Sequence, residues 1–375
     1  MTAPRLEIDL DKIQQNASIL VNRLKAKGIS VTGVTKATLG DPQIAGALLR
    51  AGVATLGDSR IENIEALRRA GIKAPMMLIR SPMISQADRI VAHADVSLNT
   101  ELDVISALSD AALKTRRTHG IILMVELGDL REGIMPGDME STVRKMLRFP
   151  NVVLMGIGAN LACRSGVSPD IRNMAELSAM AESIEDTFNL DAGLKIISGG
   201  SSANVPWALG GAEPGRINNL RLGESILLGL EPLHRLPIDG LHTDAISLVA
   251  EVIESKTKPS LAWGDIAQTA FGEKPPTPPT KDHGAISHTI VAIGHQDTDP
   301  DGLCPPPGIG IIGASSDHLI LDSGNRDLNV GAEVKFRLNY SALIRAMTSP
   351  FVAKMMKGET SSVSDNQLEP EYGVL

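Results

Sequence analysis

Aromatic residues and cysteines are scarce in this sequence. Phe, Trp and Tyr make up 2% of the 375 residues, and the tyrosines are Tyr340 and Tyr372. The two cysteines, Cys163 and Cys304, lie 141 positions apart, and neither belongs to a CxxC pair. This usage argues against a disulfide framework and against a structural zinc site. Chemistry that requires a tyrosine hydroxyl therefore has at most two candidates.

The chain also lacks a surplus of positive charge and long apolar runs. It carries 36 Lys and Arg against 44 Asp and Glu, a formal net charge of −8. This balance argues against a nucleic-acid partner and favours a small-molecule one. The N-terminus does not read as a secretory signal, and no apolar run reaches membrane-spanning length. We therefore expect a cytoplasmic protein that does not bind membranes.

What the chain does have is a regular alternation of short apolar runs and longer segments of helical period, from residue 30 to about residue 225. The strand-like runs are SVTGVTKA, VATLGDS, PMMLIRS, DVSLNT, IILMVELGD, VVLMGIGANL, LKIISGG and NNLRLGES. Eight such βα units predict an α/β fold, a closed (βα)8 barrel of the TIM type.

The pattern changes near residue 240, where strand-like segments follow one another without helices between them. We predict a barrel domain over residues 1–235 and a mostly β C-terminal domain over 236–357. The proline-rich stretch 273–284 reads as a loop, and the polar tail 358–375 is predicted to be disordered.

Polar residues at the carboxyl ends of barrel strands are the first candidates for a functional site, since barrel enzymes place their reacting groups there. Lys36 follows the first strand and Arg221 belongs to the eighth. These strands are neighbours in a closed barrel, so the two side chains should lie together. A lysine that ends an apolar strand is partly desolvated, which suits it to forming a Schiff base. The alternative is an ordinary solvated loop lysine.

Two loops near these residues have the composition of phosphate-binding loops. SGGSSAN, residues 198–204, follows the seventh strand and includes Ser201 and Ser202, while RLGES, residues 221–225, follows the eighth. Small residues let backbone N–H groups approach a phosphate, and these are the usual phosphate loops of the fold. The alternative is that their glycines only form tight turns.

Several stretches in the same order resemble the alanine racemase family of fold-type III pyridoxal-phosphate (PLP) enzymes. They include VTGVTKA, DSRIENI, VELGDLREG and EPGRINNLRLGE, and the likeness extends from about Leu6 to Tyr340. It is nearest to the branch containing ornithine and lysine racemases. The resemblance implies a barrel followed by a β domain, PLP as cofactor, and racemisation of an amino acid, with ornithine or lysine as the suggested substrate.

The resemblance also implies a cofactor site. Lys36 stands at the position of the lysine that binds PLP, and Arg221 stands at the position of the arginine that faces the pyridine nitrogen. The remaining implied cofactor contacts are Ser202, Gly223, Glu224 and Tyr340 around the phosphate and Asn160 against the ring. A guanidinium stays protonated and leaves the ring nitrogen neutral. That arrangement favours rapid return of the proton to the α-carbon and suppresses transamination.

For the substrate, the resemblance implies contacts from Arg131 and from Ser316 and Asp317 in the second domain. Racemisation needs a proton donor on each face of the α-carbon. Lys36 serves one face. The family places a tyrosine on the other, and the matching position here reads Gly294 and His295.

We expect His295 to be the second base, because its intrinsic pKa suits proton transfer near neutrality, with Cys304 as the alternative. The resemblance implies that this base comes from the other chain of a head-to-tail homodimer with shared active sites.

Two other functions share the same barrel. A metal-assisted PLP lyase or dehydratase needs a metal-binding histidine late in the β domain, where this chain reads Asn339 to Ala342. We therefore expect no metal site. A PLP-carrier protein of the barrel-only kind lacks the second domain predicted here.

The identity of the substrate stays open. A basic amino acid needs a carboxylate near its distal amine, and Glu62, Asp297, Asp299 and Asp301 are the candidates. A solvated acidic loop is an equally good interpretation of these residues.

Overall fold

The protein is described by a computed structural model over residues 3–190, 193–211, 213–269, 271–272 and 282–358. It begins with strand β1 (Arg5–Asp9) and helix α1 (Leu10–Lys25). Asn16 anchors α1, because its buried amide donates to the carbonyls of Ile226 and His242. The N-terminal helix is therefore tied to the segment that joins the two domains.

Eight parallel strands follow and close into a barrel, which confirms the fold predicted from the sequence. They are β2 (Ser30–Val34), β3 (Thr55–Asp58), β4 (Met76–Leu78), β5 (Val96–Asn99), β6 (His119–Val125), β7 (Val152–Ala159), β8 (Ile196–Gly200) and β9 (Asn219–Leu222). The barrel closes where β9 pairs with β2, with Thr32 opposite Arg221. The first and eighth barrel strands are neighbours, as expected.

Helices connect the barrel strands and cover the outside of the barrel. They are α2 (Pro42–Arg50), α3 (Ile61–Arg69), α4 (Ala87–His93), α5 (Leu102–Thr115), α6 (Met139–Met146), α7 (Ile171–Phe188), α8 (Val205–Leu209) and α9 (Glu224–Leu228). Local sequence sets their starts. Asp41 caps α2 by accepting from the N–H groups of Gln43 and Ile44, and Asp170 and Asn173 form a capping box on α7.

The barrel has two apolar layers. The larger core lies between the strands and the helices, whereas a small separate cluster fills the inside of the barrel with Met77, Leu98, Ile122 and Met124. Such filling makes the barrel a packed core instead of a pore. A ligand must therefore bind at an end of the barrel.

The described residues of the C-terminal domain form a mostly antiparallel sheet and one α-helix. Its elements are β10 (Ile246–Pro259), β11 (Ala285–Val291), β12 (Leu303–Cys304), β13 (Gly310–Ala314), β14 (Leu319–Asp322), β15 (Glu333–Leu338), α10 (Tyr340–Thr348) and β16 (Ala353–Lys357). Most of the predicted proline-rich loop, residues 273–281, and the predicted tail from residue 359 lie outside the described residues.

The N-terminal strand belongs to this second sheet and not to the barrel. β1 pairs antiparallel with β10, with Leu6 opposite Leu248, and parallel with β16, with Leu6 opposite Lys354. Leu6 and Ile8 are fully buried. Burial of these side chains therefore holds residues 5–9 against the sheet of the second domain. The boundary at residue 235 stays a prediction.

Candidate functional site

A cavity of about 270 Å³ opens at the C-terminal ends of the barrel strands. This is near the lower end of typical small-molecule pockets, roughly 300–1,000 Å³. Nine residues singled out from the sequence line it, namely Lys36, Arg131, Asn160, Ser201, Ser202, Arg221, Gly223, Glu224 and Tyr340. Side chains from widely separated parts of the chain therefore converge where the fold places its active sites.

Lys36 starts a short helical turn directly after β2 and reaches the cavity. Lys36 is exposed to solvent through the opening of the cavity. Partial desolvation of its amine by the surrounding protein lowers the pKa of Lys36 below its usual range, and the charges of Arg131 and Arg221 lower it further. Cys163 and Asp58 act in the opposite direction. A larger neutral fraction makes the amine a better nucleophile toward a carbonyl group. Its Nζ lies 6.0 Å from the centre of the Tyr340 ring.

A buried carboxylate supports the turn that carries this lysine. Asp58 at the end of β3 accepts hydrogen bonds from the Thr35 hydroxyl at 2.7 Å, the Arg60 N–H at 2.9 Å and the Asn63 amide at 3.0 Å. Burial raises the pKa of Asp58, and these hydrogen bonds oppose the rise. Asp58 therefore fixes the backbone next to Lys36 without lining the cavity itself.

Ser202 joins the two predicted phosphate loops. Its hydroxyl oxygen accepts from the N–H groups of Gly223 at 3.3 Å and Ser225 at 3.1 Å, and it lies 3.0 Å from the Ser225 hydroxyl. Gly223 has little space for a side chain, because a Cβ there would come within 3.2 Å of Val34. The loops after β8 and β9 thus form one surface of hydroxyl and backbone N–H groups beside Lys36.

Arg221 lies fully inside the barrel mouth and donates to three neutral acceptors. They are the Ser198 hydroxyl, the Ala159 carbonyl at 2.8 Å and the Asn160 side-chain oxygen at 2.5 Å. Burial lowers the pKa of Arg221 to about 10. The guanidinium therefore remains protonated near neutral pH and presents a fixed positive charge to the cavity.

Arg131 and its neighbour Glu132 sit on the opposite side of the site, in the loop after β6. The Glu132 carboxylate accepts from both Nε and Nη2 of Arg131. It also accepts from the Asn160 amide at 2.6 Å. Glu132 was not among the residues predicted from the sequence, and its position beside Arg131 was the available signal.

Cys163 was interpreted from the sequence only as a free thiol, and it lines the cavity. Asp129 holds its loop, because the Asp129 carboxylate accepts from the N–H groups of Cys163, Arg164 and Ser165 at 2.9–3.3 Å. Burial raises the pKa of the Cys163 thiol, and the positive charge of Arg131 opposes the rise. Its place four residues after the end of β7 was the signal that could have identified it.

Four predicted residues of the second domain do not line this cavity. His295, Ser316 and Asp317 come together at one corner, where the His295 N–H donates to the Ser315 carbonyl at 3.0 Å and a Cβ on Gly294 would meet the backbone of Ser316 at 2.5 Å. The fourth, exposed Cys304 on β12, accepts from Arg337 at 3.4 Å. Within one chain, these residues and the barrel site are apart.

Three of the four acidic candidates for a distal amine have partners elsewhere. Asp297 accepts from Ser349 at 3.0 Å, Asp299 accepts from Ser341 at 2.5 Å, and Glu62 pairs with Arg89 at 3.0 Å. The fourth, Asp301, is exposed and does not line the cavity. In the described parts of the chain, no group of three or more His, Cys, Asp or Glu side chains is arranged to hold a metal ion. No described helix is long and apolar enough to cross a membrane.

The fold and the site together define a two-domain (βα)8-barrel protein with a cationic cavity at the barrel mouth and a β domain after the barrel. Residues 8–232 match the family model described as alanine racemase, N-terminal domain. The chain belongs to the alanine racemase family, which confirms the resemblance noted in the sequence.

Two relatives match almost the whole chain. Ornithine racemase from Acetoanaerobium sticklandii is 38% identical over 355 residues, which cover 94% of this chain and 99% of that protein. Lysine racemase from Thermotoga maritima is 38% identical over 357 residues, which cover 95% of this chain and 99% of that protein. The crystal structure of alanine racemase from D-cycloserine-producing Streptomyces lavendulae superposes with a TM-score of 0.71 at 19% identity, covering 96% and 98% of the two chains. That likeness shows the shared fold.

Proposed function

We propose that this protein is a cytoplasmic, PLP-dependent amino-acid racemase that acts on a basic amino acid such as ornithine or lysine. The observation that carries the proposal is the partly desolvated amine of Lys36, held beside the buried Arg221 in the cavity at the barrel mouth. When bound, PLP would supply an aldehyde that reacts with primary amines and a ring that withdraws electrons from the α-carbon.

The residues that line the cavity fit this cofactor. The hydroxyl of Ser202 and the backbone around Gly223 form a surface of the kind that binds phosphate. Gly223 lies against Val34 and leaves little space for a side chain, and its lack of a side chain keeps the backbone open to an approaching phosphate. In the proposal these groups, with Ser201, the Glu224 backbone and Tyr340, hold the phosphate, while Arg221 and Asn160 face the ring.

Three side chains of the protein have the remaining roles of binding the substrate, transferring the α-proton and contacting the cofactor ring. Arg131 binds the substrate carboxylate through its guanidinium. Lys36 takes the α-proton on one face, since burial keeps more of its amine neutral. Arg221 stays protonated, so it donates a hydrogen bond to the ring nitrogen without giving up its proton.

The activity test is a panel of enantiopure amino acids, each incubated with the holoenzyme while optical rotation is followed. We expect ornithine and lysine to lose rotation fastest, and the rate to be unchanged by EDTA. Retention of optical activity by every amino acid would contradict the proposed racemase activity. Activity that disappears with EDTA and returns with manganese or zinc would favour a metal-assisted lyase instead.

The second base is proposed to come from the partner chain of a head-to-tail homodimer. His295 is the candidate, and Ser316 and Asp317 beside it are proposed to contact the substrate. These residues do not line the cavity of their own chain, which favours a second copy as their source. His295→Ala is expected to leave PLP binding intact and to slow α-proton exchange in D₂O from one enantiomer about 10²-fold more than from the other.

Cys304→Ala, which removes the alternative base, is the matched control for this test and should exchange both enantiomers at wild-type rates. Equal slowing of both enantiomers by the His295 variant would contradict the assignment of the base. A protein that is fully active as a monomer would contradict the shared site.

A further inference from the structure

Four side chains form a continuous hydrogen-bonded row across the floor of the cavity. Arg131 donates two hydrogen bonds to the Glu132 carboxylate, the Asn160 amide donates to the same carboxylate at 2.6 Å, and Arg221 donates to the Asn160 oxygen at 2.5 Å. The row joins the arginine proposed to bind the substrate carboxylate to the arginine proposed to face the cofactor ring. Glu132 is its only anionic member.

Glu132 determines which way the Asn160 amide faces. A carboxylate accepts hydrogen bonds and donates none, so it holds the NH₂ group of Asn160 and turns the oxygen toward Arg221. The opposite orientation would place the NH₂ group against the guanidinium, where two donors meet. Arg221 would then lose one of its three acceptors in a fully buried position, which is costly for a charged donor.

Charge gives Glu132 a second effect. Lys36, Arg131 and Arg221 all face one cavity, and the three acceptors of Arg221 are neutral. The Glu132 carboxylate is three-quarters buried, with 24% of its side chain exposed. At this depth its negative charge acts on Arg131 and Arg221 more strongly than it would in water.

We propose that Glu132 is a positioning residue of the racemase site that orients Arg131 directly and Arg221 through Asn160. The inference rests on the proposed function and deepens it. Glu132 touches neither substrate nor cofactor in this arrangement. Binding of the substrate carboxylate by Arg131 and binding of the cofactor ring by Arg221 therefore both depend on the Glu132 carboxylate.

Glu132→Gln tests the inference, because glutamine keeps the shape and replaces one acceptor oxygen with a donor. We expect KM for the amino acid and the PLP dissociation constant of the apoprotein each to rise roughly tenfold to a hundredfold, the range for losing a hydrogen bond between charged groups, with a smaller fall in kcat. Glu132→Asp keeps the charge and should recover part of both losses. Glu140→Gln is the matched control, since Glu140 is an exposed partner of Arg144 on α6 and lies outside the cavity.

The indirect effect of Glu132 on Arg221 through Asn160 can be measured separately, as a change in the PLP dissociation constant. In an Asn160→Ala background, Glu132→Gln should change the PLP dissociation constant much less than it does in the wild type, because only the direct effect of its charge on Arg221 remains, while its effect on KM through Arg131 should persist. Losses in PLP affinity that multiply in the double variant would overturn the indirect effect.

The wild-type protein separates this test from the test of the function itself. If the wild type neither binds PLP at Lys36 nor racemises an amino acid, the proposed function fails. If the wild type does both and Glu132→Gln behaves like Glu140→Gln, the positioning role alone fails. Far-ultraviolet circular dichroism of each variant checks that the change acts on the site and not on folding.

Discussion

Replacing Lys36 with alanine is expected to lower kcat for racemisation by at least about 10³-fold, since the variant loses both the amine that binds the cofactor and one of the two proton-transfer groups. The purified wild-type protein should be yellow. Borohydride reduction followed by proteolysis should place the trapped cofactor on the peptide that contains Lys36. Rates of racemisation and mass spectrometry of the trapped peptide are the two measurements.

Lys145→Ala is the matched control for this experiment, because Lys145 is an exposed lysine on α6, away from the cavity. It should keep the wild-type colour, trapped peptide and rate. Trapping of the cofactor on a different lysine, or a Lys36→Ala variant with more than a tenth of the wild-type rate, would refute the assignment.

Arg221→Glu is expected to change which reaction the enzyme performs. Arg221 does not release its proton near neutrality, so it leaves the ring nitrogen unprotonated. A carboxylate at the same position carries a negative charge, which instead stabilises a protonated ring nitrogen. A protonated ring draws electrons more strongly from the substrate, so more turnovers should end in transamination while racemisation falls roughly 10²- to 10³-fold.

Arg221→Lys separates the effect of the positive charge at this position from the effect of the hydrogen-bond geometry of the guanidinium. It keeps a cation but reaches fewer of the three acceptors, so it should bind PLP more weakly and retain the wild-type ratio of racemisation to transamination. Chiral chromatography and keto-acid analysis measure that ratio. An Arg221→Glu variant with the wild-type ratio and absorption spectrum would show that Arg221 does not face the ring.

Much of the site could be predicted because consecutive strands of the sequence become neighbouring strands around the barrel. Residues such as Lys36, Asn160 and Arg221 lie far apart in sequence, but each ends or follows an apolar strand. Parallel strands of a closed barrel place their carboxyl ends on one face. Locating the strands was therefore enough to bring these side chains together.

Other features depend on contacts that no local pattern encodes. From the sequence alone, Glu132 looks like an ordinary loop carboxylate. Its role depends on the hydrogen bond that it accepts from Asn160, which follows the next barrel strand. Cys163 enters the cavity because Asp129, more than thirty residues earlier, binds the backbone of its loop. β1 reads as a strand leading into the barrel, and only its pairing with β10 and β16 shows which sheet it completes.

The pairing of β1 has a consequence for the order of events on the ribosome. Residues 5–9 precede the barrel strands in sequence, whereas their partners in β10 and β16 follow the barrel. Neighbouring barrel strands are consecutive in sequence, and domains generally fold as units during synthesis. β1 therefore stays without its partners until β10 and then β16 have been synthesised. Segments that lie before and after the barrel in sequence thus complete one sheet, and a chain that stops before β16 leaves β1 without that neighbour.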